Sequence, residues 1–89
     1  MYRVELASRA QRELRRVPEP DRARIAVALA RLAYQPRPKG SVKLKGPIYR
    51  VRVGPYRIIY AISDAEELVA VLKVARREKD TYDDIGTLF

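Results

Sequence analysis

Residues 48–60 constrain the fold more than any other part of this sequence, because they read Ile-Tyr-Arg-Val-Arg-Val-Gly-Pro-Tyr-Arg-Ile-Ile-Tyr. Apolar residues and arginines alternate around Gly54-Pro55, a pattern typical of two antiparallel strands joined by a two-residue turn. Successive strand residues point to opposite faces of a sheet. The pairing that such a turn imposes therefore sets Arg52 directly opposite Arg57 and puts Arg50 beside them. We call the sheet face that carries these three residues the arginine face.

The arginine face is costly for a sheet unless an anion binds to it. Like charges directly opposite each other are destabilising, so the pairing of Arg52 with Arg57 needs an explanation. A phosphate group supplies one, because a guanidinium donates two parallel hydrogen bonds to it and carries the opposite charge. The hairpin therefore predicts a phosphate-binding surface, with an acidic protein segment as the alternative ligand.

The composition limits the class of protein. The chain has 89 residues and 47% of them are hydrophobic, which suits one small domain spanning residues 1–89. It contains no cysteine and no histidine, so we expect neither disulfides nor a zinc or other transition-metal site, and we predict no cofactor. No apolar run has transmembrane length and the N-terminus lacks the core of a signal peptide. A cytoplasmic protein without membrane contact is therefore expected.

The net charge of +8 points to a polyanionic partner, either a nucleic acid or an acidic protein. The charge is unevenly distributed, because residues 22–63 include ten lysines and arginines but no aspartate or glutamate. A solvated surface that serves solubility alone is the simpler alternative. So long a stretch without acids is nevertheless unusual for a surface of mixed charge, and it favours a binding role.

The remaining pattern predicts an α+β fold. Alternation over residues 2–6 indicates an N-terminal strand, and helical spacing on both sides of residues 18–20 indicates an αα-hairpin. The apolar run at residues 68–75 completes a three-stranded antiparallel meander with the β-hairpin, within a mainly antiparallel sheet. A short C-terminal helix is expected at residues 81–85, while the basic residues 42–46 are assigned to no element. The helices should cover the apolar face of the sheet and leave the arginine face open.

The sequence resembles the RelE/ParE toxin superfamily in residues 43–46, 49–60 and 74–77 and in Tyr82. This resemblance covers nearly the whole chain and implies a toxin of a bacterial or archaeal toxin–antitoxin pair. RelE-like members cleave mRNA in the ribosomal A site, whereas ParE-like members inhibit DNA gyrase and are not nucleases. The arginines of the hairpin and the tyrosine after the last strand favour the RelE branch, hence a metal-independent endoribonuclease.

The resemblance also implies the site residues and the partners. The implied catalytic residues are Arg50, Arg52, Arg57, Arg77 and Tyr82, of which the arginines would stabilise the scissile phosphate and Tyr82 would stack on a base. The implied partners are a cognate antitoxin, the ribosome and mRNA, with operator DNA bound only through the antitoxin complex. The predicted RNA- or phosphate-binding residues are Lys43, Lys45 and Arg76.

The sequence departs from the family at the residue that would accept a proton. RelE-like toxins have lysines on the second strand and one is assigned as the general base, whereas both positions here are arginine, which does not readily lose a proton. Lys43, Lys45, Glu78 and Tyr82 are the candidate substitutes, and the sequence does not choose among them. Two alternatives therefore stay open: a ParE-like gyrase inhibitor without nuclease activity, and a weakly active toxin that serves mainly as an antitoxin-binding co-repressor.

Overall fold

Two helices and five strands account for most of residues 1–77, which are the residues that the computed structural model describes. The strands form one sheet in the order β1-β5-β4-β3-β2, in which β1 runs parallel to β5 and the other neighbours are antiparallel. The strand β4 therefore lies at the centre of the sheet, and β1 and β2 are its edges. Along the chain, the elements are β1 (Arg3–Leu6), α1 (Ser8–Arg15), α2 (Asp21–Leu32), β2 (Val42–Lys45), β3 (Ile48–Val53), β4 (Tyr56–Ser63) and β5 (Leu68–Arg76).

The predicted α+β class is confirmed, but the layout of the sheet differs by one strand. We expected a three-stranded meander after the helices, whereas β2 adds a fourth strand at residues 42–45, a stretch that we had assigned to no element. This strand alternates valine and leucine with lysine, and lysines on an edge strand discourage pairing with another chain. The C-terminal helix expected at residues 81–85 lies outside the residues that the structure describes.

The two helices cover one side of the sheet, which we call the helix face. Ile25, Leu29 and Leu32 recur at helical spacing along α2 and are buried against the strands. Ile58 and Tyr60 of the central strand face them with no exposed surface. Burying one aliphatic side chain contributes about 1.5–3 kcal/mol, so this core supplies much of the stability. Within residues 1–77, neither helix has the length and apolar composition that crossing a membrane requires.

The β-hairpin has the predicted register. Gly54 has a φ of +57°, which glycine adopts without strain, and Pro55 supplies the fixed φ of the second turn residue. The turn leaves Arg52 directly opposite Arg57 across β3 and β4, as the sequence predicted. The geometry of the arginine face therefore follows from one two-residue turn and strict alternation on both sides of it.

A polar cluster holds the loop between α2 and β2 against the sheet. Arg37 donates from Nη2 to Oδ2 of Asp64 at 2.9 Å and from Nη1 to Oδ1 at 3.2 Å, and its Nε donates to the hydroxyl of Tyr49 at 3.1 Å. The hydroxyl of Tyr2 donates to Oδ1 of Asp64 at 2.6 Å. We call Tyr2, Arg37 and Asp64 the Asp64 clamp, since one carboxylate joins the N-terminus, this loop and the β4–β5 turn.

The clamp changes the acidity of its own members. The hydrogen bonds from Arg37 and then from Tyr2 lower the pKa of the Asp64 carboxyl, because both favour the carboxylate. The bond to Asp64 raises the pKa of the Tyr2 hydroxyl, because it favours the protonated phenol. The clamp is thus fully formed when Asp64 is ionised and Tyr2 is protonated.

Candidate functional site

The arginine face is organised in two adjacent rows across three strands. Arg52 pairs with Arg57 in the first row. In the second row Arg50 pairs with Ile59, which in turn pairs with Lys73 of β5. Neighbouring strands lie about 4.8 Å apart, so long cationic side chains of both rows can reach one phosphate group. The structure therefore brings Arg50, Arg52 and Arg57 together as predicted.

The centre of the arginine face is more buried than we expected. Arg52 is exposed and Arg50 is partly buried, but Arg57 retains only 6% of its accessible surface and Ile59 only 1%. The prediction of a fully open face is therefore wrong for its centre. Arg57 lies on β4, the middle strand of the sheet, whereas Arg52 lies on β3, nearer the sheet edge. Exposure on the arginine face therefore decreases from Arg52 to Arg57.

Arg76 is the last residue of β5, and Arg77 directly follows the strand. Arg76 pairs with Tyr56, and its guanidinium carbon lies 5.7 Å from the centre of the Tyr56 ring, within cation–π range. Arg77 donates its backbone N–H to the carbonyl of Pro55 at 2.7 Å, which puts it beside the hairpin turn. Extending the alternation of β5 by one residue assigns Arg77 to the same face as Arg57. Arg76 therefore belongs to the helix face, and Arg77 follows the pattern of the arginine face.

The two lysines of β2 are also on different faces. The strand register shifts between them, so that Lys43 pairs with Tyr49 and Lys45 pairs with Ile48. Tyr49 packs against the helix-face core, whereas Ile48 lies on the arginine face. Simple alternation would have put both lysines on one face. Because of the irregularity, only Lys45 shares the face of the arginines.

Lys73 is a cation of the arginine face that the sequence did not reveal. It has 4% of its surface exposed, and it lies one row from Arg57 on the neighbouring strand. Val69 and Val71 face the helices, so strict alternation would send Lys73 into the apolar core. A β-bulge prevents this, because the register shifts by one residue and Leu72 has no partner in β4.

A carboxylate of α1 contacts the strand directly after this bulge. Oε1 of Glu13 accepts a hydrogen bond from the backbone N–H of Val74 at 2.9 Å, and Oε2 lies 3.3 Å from Nε of Arg9. The bond satisfies a partly buried N–H group and links α1 to the residue that follows Lys73. Glu13 is 61 positions away from Val74 in the chain, so no local pattern indicates this contact.

A groove of about 450 Å³ runs between α2 and β3 on the helix side. Val27 and Ala28 of α2 and Val51 of β3 contribute to its apolar lining, and Arg24 and Arg31 lie at its rim. Val27 keeps 53% of its surface exposed, which is high for a valine beside a core. The groove combines an apolar floor with cations, as a site for an amphipathic acidic segment would.

Two further expectations concern Tyr82 and metal binding. Tyr82, the fifth predicted catalytic residue, lies outside the residues that the structure describes. Residues 1–77 contain no group of three His, Cys, Asp or Glu side chains that could hold a metal ion. The cations of the arginine face can bind a phosphate and stabilise additional negative charge on it.

Comparisons with known proteins agree on the family. The family model described as the ParE toxin of the type II toxin–antitoxin system parDE matches residues 4–81. The toxin RelE of Mycobacterium tuberculosis is 31% identical over 83 residues, which cover 85% of this chain and 81% of that protein. The archaeal RelE–RelB complex from Pyrococcus horikoshii has a chain with a TM-score of 0.81 and 28% identity, covering 88% of this chain and 97% of that one. The intact Escherichia coli RelBE complex, at 23% identity and a TM-score of 0.76, covers 89% of this chain and 100% of its counterpart and shares the fold.

The α+β fold, with two helices and a five-stranded mixed sheet, is what these solved structures share with this chain. This chain belongs to the RelE/ParE toxin superfamily of type II toxin–antitoxin systems. The resemblance that the hairpin suggested is thereby confirmed.

Proposed function

We propose that this chain is a toxin that cleaves mRNA on the ribosome and that a cognate antitoxin holds it inactive. The observation that carries the proposal is the pairing of Arg52 with Arg57, with Arg50 beside them, on the face away from the helices. A fold that keeps like charges opposite each other is stabilised when a phosphate lies between them. The mycobacterial relative named RelE and the RelE subunit of the Pyrococcus complex support the toxin role. Access to ribosomes implies action in the cytoplasm.

The arginines serve one of the three requirements of RNA cleavage. The ribose 2′-hydroxyl must lose its proton, the extra negative charge of the transition state must be stabilised, and the leaving 5′ oxygen must gain a proton. Arg52, Arg57 and Arg77 supply the stabilisation as fixed cations, and loss of one such donor typically lowers the rate about 10²–10³-fold. Tyr82 would hold the nucleotide by stacking on its base. RNA reaches Arg57 only if the centre of the face opens on binding, since Arg57 is 6% exposed.

The groove beside α2 is the proposed contact for the antitoxin. The structures from Pyrococcus and Escherichia coli contain RelE together with its antitoxin RelB, which supports a partner of this kind. An amphipathic helix would bury its apolar side against Val27 and direct acidic residues towards Arg24 and Arg31. We expect Val27→Asp to weaken antitoxin binding and Ala26→Asp, an exposed α2 position that does not line the groove, to leave it unchanged. Operator DNA would be bound only through that complex.

A ParE-like activity is the second candidate function. The family model that matches this chain is the ParE model, which favours inhibition of a DNA-processing enzyme such as gyrase. Such a toxin would cause supercoiling defects and DNA damage without cutting mRNA. A chain that does not arrest growth would instead be an antitoxin-binding co-repressor.

Induced expression without antitoxin separates these functions, with mRNA 5′ ends mapped across the transcriptome. We expect cuts within translated codons that disappear when translation is blocked. Arg52→Ala should lower cutting about 10²–10³-fold, whereas Arg12→Ala, at an exposed position of α1 outside the arginine face, should cut like the wild type. Growth arrest without codon-spaced cuts would contradict the proposal and favour the ParE-like function.

A further inference from the structure

We infer that Lys73 is the catalytic residue that accepts the proton of the RNA 2′-hydroxyl. This inference rests on the proposed function and names the group that the arginines cannot provide. Lys73 stands on the arginine face, in the same row as Arg50 and diagonally opposite Arg57. Diagonal neighbours in a sheet lie about 7–8 Å apart, which long side chains can span.

A backbone irregularity positions Lys73 on the arginine face. In a regular strand Lys73 would follow Val69 and Val71 into the core beneath the helices, where an ammonium group is very costly. The bulge at Leu72 turns Lys73 to the other face and returns Val74 to the core. Bulges commonly re-aim a side chain beside an active site. The hydrogen bond that the N–H of Val74 donates to Glu13 fixes the strand directly after the bulge, so Glu13 acts as a positioning residue for Lys73.

The arginines beside Lys73 cannot act as proton acceptors. Arginine stays protonated in proteins, so Arg50, Arg52 and Arg57 can bind phosphate but cannot take up a proton. Lysine is the cationic residue that proteins use as a base when its amine lies in a buried, cation-rich site.

The other lysines of the sheet are less well placed. Lys43 pairs with Tyr49, whose side chain packs on the helix face. Lys45 is exposed and lies on the edge strand β2, where it pairs with Ile48 of β3. Lys73 and Arg57 are buried to the same degree, at 4% and 6% exposure, so an opening that admits RNA to one admits it to the other.

In the proposed cleavage step, Nζ of Lys73 takes the proton from the 2′-hydroxyl, and the 2′ oxygen attacks the adjacent phosphorus. The bond from phosphorus to the 5′ oxygen breaks, and that oxygen takes a proton from water. The products are a 2′,3′-cyclic phosphate and a 5′-hydroxyl end, and the Lys73 ammonium then releases its proton to solvent. Arg52 and Arg57 stabilise the charge on the phosphate oxygens throughout.

Purified protein and ribosomes carrying a defined mRNA provide the test. Lys73→Arg keeps the positive charge but removes the proton acceptor, so we expect unchanged ribosome binding and a single-turnover cleavage rate lower by about 100-fold or more. Lys39→Arg makes the same exchange in the exposed loop before β2 and should cleave at the wild-type rate.

Chemical rescue separates a base from a structural cation and covers the case in which Lys73→Arg fails to fold. Added methylamine or ethylamine should restore cleavage by Lys73→Ala in proportion to the concentration of free amine, not of the ammonium ion. Wild-type rates for Lys73→Arg, or no rescue of a folded Lys73→Ala, would overturn the role of Lys73 while the proposed function stands. A wild-type protein that does not cut ribosome-bound mRNA would overturn the proposed function and the role of Lys73 with it.

Discussion

The two faces of the sheet use alternate residues of the same strands for different purposes. On β4 the helix face receives Tyr56, Ile58 and Tyr60, all buried in one apolar core, while the arginine face receives Arg57 and Ile59. A slip of one residue would turn the apolar residues of the helix face outward and is therefore costly for both faces. A slip of two residues would keep the helix face apolar but would separate Arg52 from Arg57, so the arginine face depends on individual pairings.

This contrast means that stability and chemistry are separable one residue at a time. Sequence neighbours such as Arg57 and Ile58 belong to different faces and different tasks. A helix-face substitution should change the free energy of unfolding and spare the activity of folded molecules. A substitution on the arginine face should lower the activity of folded molecules and change the free energy of unfolding much less.

The largest expected effect on stability is at Ile58. Ile58→Ala removes a fully buried side chain and leaves a cavity, so we expect the free energy of unfolding to fall by about 2–5 kcal/mol. Urea denaturation measures this loss, and cleavage per folded molecule should remain close to the wild-type value. Val27→Ala, at an exposed position on α2, is the control and should change stability by less than about 0.5 kcal/mol. A large loss of specific activity in folded Ile58→Ala would show that the two faces are not separable.

A substitution of Arg52 on the arginine face should raise stability where Ile58→Ala lowers it. Arg52→Glu converts the repulsive pair with Arg57 into an attractive one, so stability should rise by about 0.2–1 kcal/mol. The same carboxylate would repel RNA, and cleavage should fall at least about 10²–10³-fold. The neutral Arg52→Gln should lie between the two in stability. If Arg52→Glu were destabilised, Arg52 and Arg57 would not interact as their register indicates.

The contact between Glu13 and Val74 lies directly after the bulge that turns Lys73 to the arginine face, and it allows a finer test. Glu13→Ala leaves the N–H of Val74 without its acceptor, which should cost about 1–3 kcal/mol of stability. Glu13→Gln keeps an acceptor and should recover most of that loss. If the contact also positions Lys73, Glu13→Ala should lower the cleavage rate of the folded protein more than Glu13→Gln does. Equal rates for the two variants would confine Glu13 to stability.

The smallest expected effect concerns the Asp64 clamp. Because the folded-state pKa of Asp64 is lowered, its contribution to stability is present above 3.8, the ordinary value of the carboxyl, and is lost as the pH falls through the folded-state value. Wild type and Asp64→Asn should therefore differ slightly in denaturation midpoint at neutral pH, and the difference should fade in acid. The clamp is solvent-exposed, so high salt should weaken the effect. A difference that grows in acid would contradict this account.

The sequence predicted the structure correctly where local patterns, such as turn residues and residue spacing, determine it. The turn at Gly54-Pro55 and the alternation around it predicted the pairing of Arg52 with Arg57, and helical spacing predicted both helices. The four residues of β2 were missed because so short an alternation carries little signal until β3 is available to pair with it.

The parts of the site that the sequence did not reveal depend on tertiary structure. Lys73 lies within an apolar run, and only the bulge, which shifts the register against β4, brings it to the arginine face. The burial of Arg57 and the contact of Glu13 with β5 likewise arise only when distant segments pack together. The assignments of Arg77 and Tyr82 to catalysis stay predictions.

The Asp64 clamp also has a consequence for how the chain folds. Tyr2 and Asp64 are separated by 62 positions and Arg37 and Asp64 by 27, so the clamp closes only after the sheet has brought three distant segments together. Contacts of such long range pay their loop-closure entropy late, and we expect this one to be absent from the folding transition state. Asp64→Asn should then accelerate unfolding while leaving the refolding rate nearly unchanged. The clamp would therefore determine the lifetime of the native state and not the rate at which it forms.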